Sequence, residues 1–142
     1  MADSSRRRQR RSALRILFEM DINRTGLDEV VKNKKMVGEP EPTEFTLQLA
    51  KGVTGHLREL DKVISSYAEG WDLERMPLVD RNILRIALYE LFFVEDIPPA
   101  VTIDEAVDIA KELSTEDSGK FINGVLGVVN RDREAGKIGF AV

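Results

Sequence analysis

Apolar residues recur at steps of three and four positions through most of the chain, and this spacing constrains the fold more than any other feature of the sequence. It is the spacing of a buried helix face, whereas no segment shows the alternation of a half-buried strand. The segment 78–93 is apolar around most of the helix circumference, which is typical of a helix at the centre of a bundle. A length of 142 residues suits one hydrophobic core. The sequence therefore predicts a single all-α domain over residues 1–142, a bundle of about seven helices.

Hydroxyl side chains, glycines and prolines mark the expected helix boundaries. Ser4 or Ser5 suits the start of the first helix and Thr43 the start of the third, because a short hydroxyl side chain accepts from a free backbone N–H group there. Gly52 and Gly55 are the expected points of a bend or break in the apolar stripe that follows. The remaining expected boundaries are a second helix over 27–36, a loop over 38–42, a left-handed cap at Gly70, a start at Pro77, a stop before Pro98 and a last helix from 115–118.

The start of the sixth helix carries a more specific signal. Thr102 and Glu105 have the spacing of a capping box, in which each side chain accepts from the backbone N–H of the other residue. Val101 and Ala106 stand where a hydrophobic staple would form. The pattern predicts a helix that begins at Thr102.

The composition removes most catalytic and metal chemistry. The absence of cysteine excludes disulfides, thiolate-bound metals and cysteine nucleophiles, and the single histidine, His56, argues against most other metal sites and against histidine-based catalytic triads. No segment reaches the roughly 20 apolar residues that span a bilayer, and no secretory signal is recognisable. We expect a cytoplasmic protein with no catalytic residues, no metal and no cofactor.

The charge is divided unevenly along the chain. The formal net charge is -4, but residues 1–15 hold six arginines and one acidic residue, so that this end carries +5 and the remainder -9. Arginine clusters bind phosphates bidentately and are typical of nucleic-acid-binding arms. We interpret residues 1–12 as an arginine-rich arm at the start of the first helix, with a solubilising or lipid-binding tail as the alternative.

Other candidate positions have competing interpretations. Lys120 and Phe121 suit single-stranded RNA, by a cation and a stacking ring, but Phe121 also fits the buried stripe of the last helix. The acidic side chains of the sixth helix could bind a divalent metal, but the pattern favours an ordinary solvent-exposed helix face. His56 suits an ordinary polar position, and Trp71 is favoured as a core anchor over a binding platform. The acidic side chains in question are Asp104, Glu105, Asp108 and Glu112.

Several separated strings resemble the NusB family of bacterial transcription antitermination factors. The first is the arginine run with Ala13 and Leu14, and the second is VDRNILRIALYEL at 79–91. IDEAV at 103–107 and EDSGKFINGVL at 116–126 continue the resemblance in the same order. The resemblance implies an all-α fold of two three-helix sub-bundles, with the arginine-rich first helix at one side.

The resemblance also implies roles for particular residues. Lys120 and Phe121 match an RNA-facing pair, which favours an exposed Phe121, and Asp117 matches an acidic position beside the RNA, where repulsion would lower affinity. Glu74 and Asp80 match acidic positions on the surface that faces NusE. The expected RNA phosphate contacts in the arm are Arg6, Arg7, Arg8, Arg10 and, more weakly, Arg11.

The partners implied by the resemblance are boxA-type single-stranded RNA, the ribosomal protein NusE and an RNA polymerase antitermination complex that reads through terminators in ribosomal RNA operons. The family includes monomers and homodimers, and the sequence leaves both open. Two alternatives also remain: an interaction domain with incidental affinity for nucleic acid, and a binder of duplex DNA.

Overall fold

The structure, a computed structural model, describes residues 5–140 and contains seven α-helices over that range, as predicted. None of these helices is long and apolar enough to cross a membrane. A 3-10 turn, Leu73–Arg75, precedes the fifth helix. The helices are α1 Arg6–Asn23, α2 Leu27–Met36, α3 Glu44–Gly55, α4 Leu57–Tyr67, α5 Leu78–Phe93, α6 Pro99–Leu113 and α7 Glu116–Glu134.

Hydroxyl caps begin three of the helices. The Ser5 side chain accepts from the backbone N–H of Arg8, while Ser4, the other candidate, lies outside the described residues. Thr43 accepts from the N–H of Thr46 at 3.2 Å, and Thr115 accepts from that of Ser118 at 2.9 Å. The predictions for Thr43 and for the last helix are therefore confirmed.

The predicted capping box at Thr102 is wrong. Helix α6 already begins at Pro99, whose missing N–H costs nothing in the first turn. Thr102 is buried inside the helix and donates to Glu90 at 3.0 Å, while Glu105 binds arginines of α1. The staple is absent as well, since Val101 is 45% exposed.

Of the three glycines predicted to bend or end a helix, only Gly55 does so, while Gly52 and Gly70 have other roles. Helix α3 ends at Gly55, as expected, but Gly52 lies inside α3. A Cβ atom at Gly52 would overlap the Tyr89 ring, so this glycine allows α3 and α5 to approach closely. Gly70 is left-handed, with φ of 79°, yet α4 has ended at Tyr67 and the residue belongs to the turn beyond it.

Helix α5 is the centre of the bundle, as its apolar circumference predicts. It packs against α1, α3, α4, α6 and α7. Helices α1, α2 and α3 also pack on one another, and α6 packs on α7. The fully buried side chains at the centre include Leu49, Leu60, Leu84, Leu88 and Leu126.

The C-terminal segment after α7 is packed against the end of α5. The Phe140 ring lies 4.6 Å from Phe92 and 5.1 Å from Phe93, centre to centre. His56 stacks on Phe93 with ring centres 4.3 Å apart. His56 is thus part of an aromatic cluster and not simply a polar surface position.

Candidate nucleic-acid interface

Arg10 is buried, which differs from its expected role as a phosphate contact. Only 4% of its surface is exposed, and its guanidinium group donates two 2.7 Å hydrogen bonds to Glu90. Glu90 also accepts from Thr102, so its carboxylate is fully engaged inside the bundle. Arg10 joins α1 to α5 and α6 and is not available to RNA in this arrangement.

Arg7 and Arg11 are paired with carboxylates of α6. The Arg7 Nη2 atom lies 2.7 Å from Asp108, and that of Arg11 lies 2.7 Å from Glu112. Arg7 also donates to Glu105, and this hydrogen bond, with the Glu105 and Asp108 charges, raises the pKa of Arg7 above its ordinary value. The acidic face of α6 is solvated at Asp104, Asp108 and Glu112, as the sequence favoured. Asp108 and Glu112 on this face also pair with the arginine arm, which the sequence did not predict.

Arg6 and Arg8 are more open. Arg6 lies over the Phe45 ring at 4.3 Å and 3.9 Å from Asp96, a loose pair in which both side chains are exposed. Arg8 is exposed and lines a groove of about 320 Å³ between α1 and the 38–42 loop. Arg15 and Lys34 line the same groove, together with Glu39 and Glu41. This groove brings basic side chains together on the side of α1 away from α6.

Helix α6 connects the arginine arm to the start of α7. Lys111 lies three residues after Asp108, so the two share a side of α6. A Cβ atom at Gly119 would lie 2.7 Å from the Lys111 Cγ atom, which shows that the Lys111 side chain crosses α7 at this glycine. Lys120 follows Gly119 and is exposed, as is Asp117. Lys111 is thus a further basic side chain between the arm and the groove, to which the sequence analysis assigned no role, although its position on the Asp108 side of the helix was a usable signal.

Phe121 and Trp71 form an aromatic pair beside Lys120. Phe121 is partly buried against the core, and its ring centre lies 5.1 Å from that of Trp71 with the planes tilted by 47°. Trp71 is 51% exposed, so its favoured role as a core anchor is wrong. The two rings and Lys120 line an open groove of about 560 Å³ between the α4–α5 connection and α7.

The two acidic residues expected to face NusE lie in different environments. Glu74 is exposed on the 3-10 turn. Asp80 is only 4% exposed and accepts from the Ser118 hydroxyl at 2.8 Å, which ties the first turn of α5 to that of α7. Asp80 therefore differs from the surface position expected for it.

Comparison with known proteins identifies the family. The model of the NusB family matches residues 7–131. The chain belongs to the NusB family. The transcription antitermination protein NusB of Salinispora arenicola is 45% identical over 126 residues, which cover 87% of this chain and 93% of that protein. That of Thermobifida fusca is 48% identical over 122 residues, which cover 86% of each.

Solved structures of NusB proteins share the fold. T. maritima NusB superimposes with a TM-score of 0.80 at 37% identity, over 95% of this chain and 99% of that one. NusB in a crystal structure with NusE and double-stranded RNA gives a TM-score of 0.74 at 28% identity, over 89% of this chain and 96% of that one. The all-α fold expected from the resemblance is confirmed.

Proposed function

We propose that this NusB family member is a non-catalytic antitermination factor that binds boxA-type single-stranded RNA together with NusE. In this role it joins an RNA polymerase antitermination complex and promotes processive transcription of ribosomal RNA operons. Its membership of the NusB family and its likeness to a NusB that was crystallised with NusE and RNA support the proposal.

The observation that carries the proposal is a path of contacts that links the arginine arm through α6 to the aromatic groove, and we assign phosphate binding and base stacking to its side chains. The path starts at Arg7 and Arg11, crosses α6 at Lys111 and reaches Lys120 and Phe121. The two ends of this path are separated by about a hundred positions in sequence and are brought together only by the fold. Phosphate contacts supply affinity and aromatic rings accept unstacked bases, so the path has both components of single-stranded RNA binding.

RNA binding at this path requires an exchange of anions. In the free protein Asp108 forms an ion pair with Arg7, and Glu112 forms one with Arg11. RNA phosphates would take the place of these carboxylates. The Arg11 pair is exposed and rests on one hydrogen bond, so replacing it costs little, on the order of 0–1 kcal/mol. Arg7 donates to two carboxylates and is released less readily.

NusE would meet the connection between α4 and α5. Glu74 is exposed there, and the exposed side chains of Glu69 and Asp72 lie on the same connection, which makes it acidic and complementary to a basic ribosomal protein. Asp80 is buried beneath this surface, where its hydrogen bond with Ser118 holds the start of α5 against α7. We therefore assign the direct contact to Glu74 and a positioning role to Asp80.

The test is fluorescence anisotropy across a salt series, with and without NusE. The nucleic acids are a boxA-like single strand, a scrambled single strand, duplex RNA and duplex DNA. We expect the boxA-like strand to bind best, NusE to increase its affinity, and binding to weaken with salt. Equal affinity for all four nucleic acids, unchanged by NusE, would contradict the proposal. Tighter binding of duplex RNA would redirect it to double-stranded RNA, which the NusB crystal structure contains.

A further inference from the structure

Trp71 is held in an unusual position for a large apolar side chain. The turn after α4 places it at the surface: the left-handed Gly70 precedes it, and its backbone N–H donates to the Ala68 carbonyl at 3.0 Å. In the described part of the chain no exposed apolar side chain is larger, and half of its surface remains open. The indole packs against the Phe121 ring on one side. A fixed, half-exposed aromatic surface of this kind suits a ligand with a flat face.

The groove beside Trp71 has the shape and charge for such a ligand. Phe121 and Gly124 line it, and a Cβ atom at Gly124 would meet nothing within 4 Å, so the groove is open at this glycine. Lys120 is exposed at the same groove and supplies a cation next to the flat apolar surface, while Glu69 contributes one carboxylate to the lining. Flat apolar faces with an adjacent cation complement a nucleobase and its phosphate.

We propose that Trp71 and Phe121 together hold one unstacked RNA base, so that Trp71 is a base-binding residue of this protein. The inference rests on the proposed RNA binding and extends the path one residue beyond Phe121. Because every base has a flat face, this subsite adds affinity without selecting a particular base. Removal of one stacking side chain is expected to weaken binding by about 5- to 150-fold.

The experiment uses the fact that Trp71 is the only tryptophan of the chain. Its intrinsic fluorescence is followed while a boxA-like single-stranded RNA is added at low salt, and anisotropy of labelled RNA is measured in parallel. We expect Trp71 emission to be quenched with the same midpoint as the anisotropy change. A series of RNAs with a single abasic nucleotide then locates the base: one position is expected to lose affinity for the unchanged protein and to lose clearly less for Trp71→Ala, in which only Phe121 still contacts that base.

Variants separate stacking from folding. Trp71→Ala is expected to bind RNA at least about fivefold more weakly, while Trp71→Phe keeps most of the affinity because a ring remains. Met36→Ala is the control, since Met36 is an apolar side chain that is 74% exposed on α2, away from the groove. If Trp71→Ala does not fold, the abasic series with the unchanged protein still decides the question: the abasic position that weakens binding must also reduce the quenching of Trp71 at saturating RNA, and full quenching there would overturn the inference.

The outcomes distinguish this inference from the proposed function. RNA that binds by anisotropy without quenching Trp71, and with equal affinity for Trp71→Ala, overturns the base-binding role and leaves RNA binding intact. Quenching by NusE alone and not by RNA also overturns it, because Trp71 would then be a protein contact. Absence of any anisotropy change overturns the proposed function and the inference with it.

Discussion

The arginine arm of α1 and the aromatic groove beside α7, the two regions to which we assign RNA binding, differ in how far their side chains are already engaged within the protein. In the arm, Arg7 and Arg11 are already paired with carboxylates of α6, and Arg10 is buried against Glu90. In the groove, Trp71 is half exposed, and the pair that it forms with Phe121 leaves one side open. A ligand would have to displace internal partners at Arg7 and Arg11, whereas in the groove it would only have to cover an exposed surface.

This difference teaches that clustered charge in a sequence does not measure available charge. Five arginines within six positions would repel one another in isolation. In the folded chain this repulsion is reduced because acidic side chains about a hundred residues away in sequence pair with the arginines. The less charged of the two regions is therefore the more open one. Substitutions of the arm arginines should accordingly change stability and salt dependence, whereas substitution of the aromatic side chains of the groove should change affinity alone.

Arg10→Ala is expected to have the largest effect, and on stability. It would leave the Glu90 carboxylate buried without its partner, which typically costs about 3–5 kcal/mol of unfolding free energy. Chemical denaturation measures the loss. The matched control is Arg15→Ala, an exposed arginine on the same helix, for which we expect a change below about 1 kcal/mol. Equal stability of the two variants would show that Arg10 belongs to the surface arm after all.

Replacing Arg6, Arg7 and Arg8 together by alanine is expected to affect RNA binding more than folding. The log–log salt dependence should become less steep by about 0.7 for each phosphate that is no longer neutralised. Stability should fall by only about 1 kcal/mol, because the pairs of Arg7 with α6 are partly exposed. Anisotropy and thermal unfolding of the same variant provide both values. Collapse of the fold would mean that these arginines are structural.

Glu112→Gln is expected to strengthen RNA binding. The substitution removes the carboxylate that occupies Arg11, so RNA no longer has to displace it, and affinity should rise about two- to fivefold. Glu29→Gln, an exposed acidic position in the first turn of α2, is the control with the same charge change. An equal gain in both variants would indicate a general charge effect and not release of Arg11.

Asp132→Asn is expected to have the smallest effect, a change in the pKa of Tyr67, which lines the aromatic groove. The Tyr67 hydroxyl donates to Asp132 at 2.6 Å, and this hydrogen bond, with burial and the Asp132 charge, raises the pKa of Tyr67. The substitution should lower the pKa of Tyr67 towards its ordinary value. Tyrosinate absorbance as a function of pH measures this, with Tyr67→Phe identifying the transition.

The sign of the corresponding stability change follows from the raised pKa. The Tyr67–Asp132 bond stabilises the folded chain below the ordinary tyrosine pKa of about 10, and this contribution disappears as the pH rises through the raised value. Stability of the unchanged protein and of Asp132→Asn should therefore converge at strongly alkaline pH. A difference that persists there would point to packing instead of the hydrogen bond.

Local signals in the sequence were sufficient for most helix boundaries. The second helix over 27–36, the caps at Ser5, Thr43 and Thr115, and the central position of α5 depend on side chains and their immediate neighbours. Such features are encoded within one turn of helix, so periodicity and capping preferences predict them. The resemblance to the NusB family supplied the arrangement of the helices that periodicity alone leaves open.

Interactions between distant segments were not predictable in the same way. Glu105 has the spacing of a capping residue, but its carboxylate binds Arg7 across the bundle. Asp80 was expected at the surface and is buried, whereas Trp71 was expected in the core and is half exposed, because the exposure of both depends on how α4, α5 and α7 pack. Arg10 and Arg11 are adjacent in sequence but point in different directions from the helix. Arg10 therefore forms a buried ion pair with Glu90, whereas Arg11 forms an exposed one with Glu112.

The most direct test of the contrast between arm and groove is the affinity of a boxA-like single strand as a function of salt, for the unchanged protein, Arg11→Ala and Trp71→Ala. We predict that Arg11→Ala makes the log–log slope shallower by about 0.7, because one phosphate is no longer neutralised. Trp71→Ala should keep the slope and lower the affinity by a similar factor at every salt concentration. A change of slope in Trp71→Ala, or an unchanged slope in Arg11→Ala, would contradict the account.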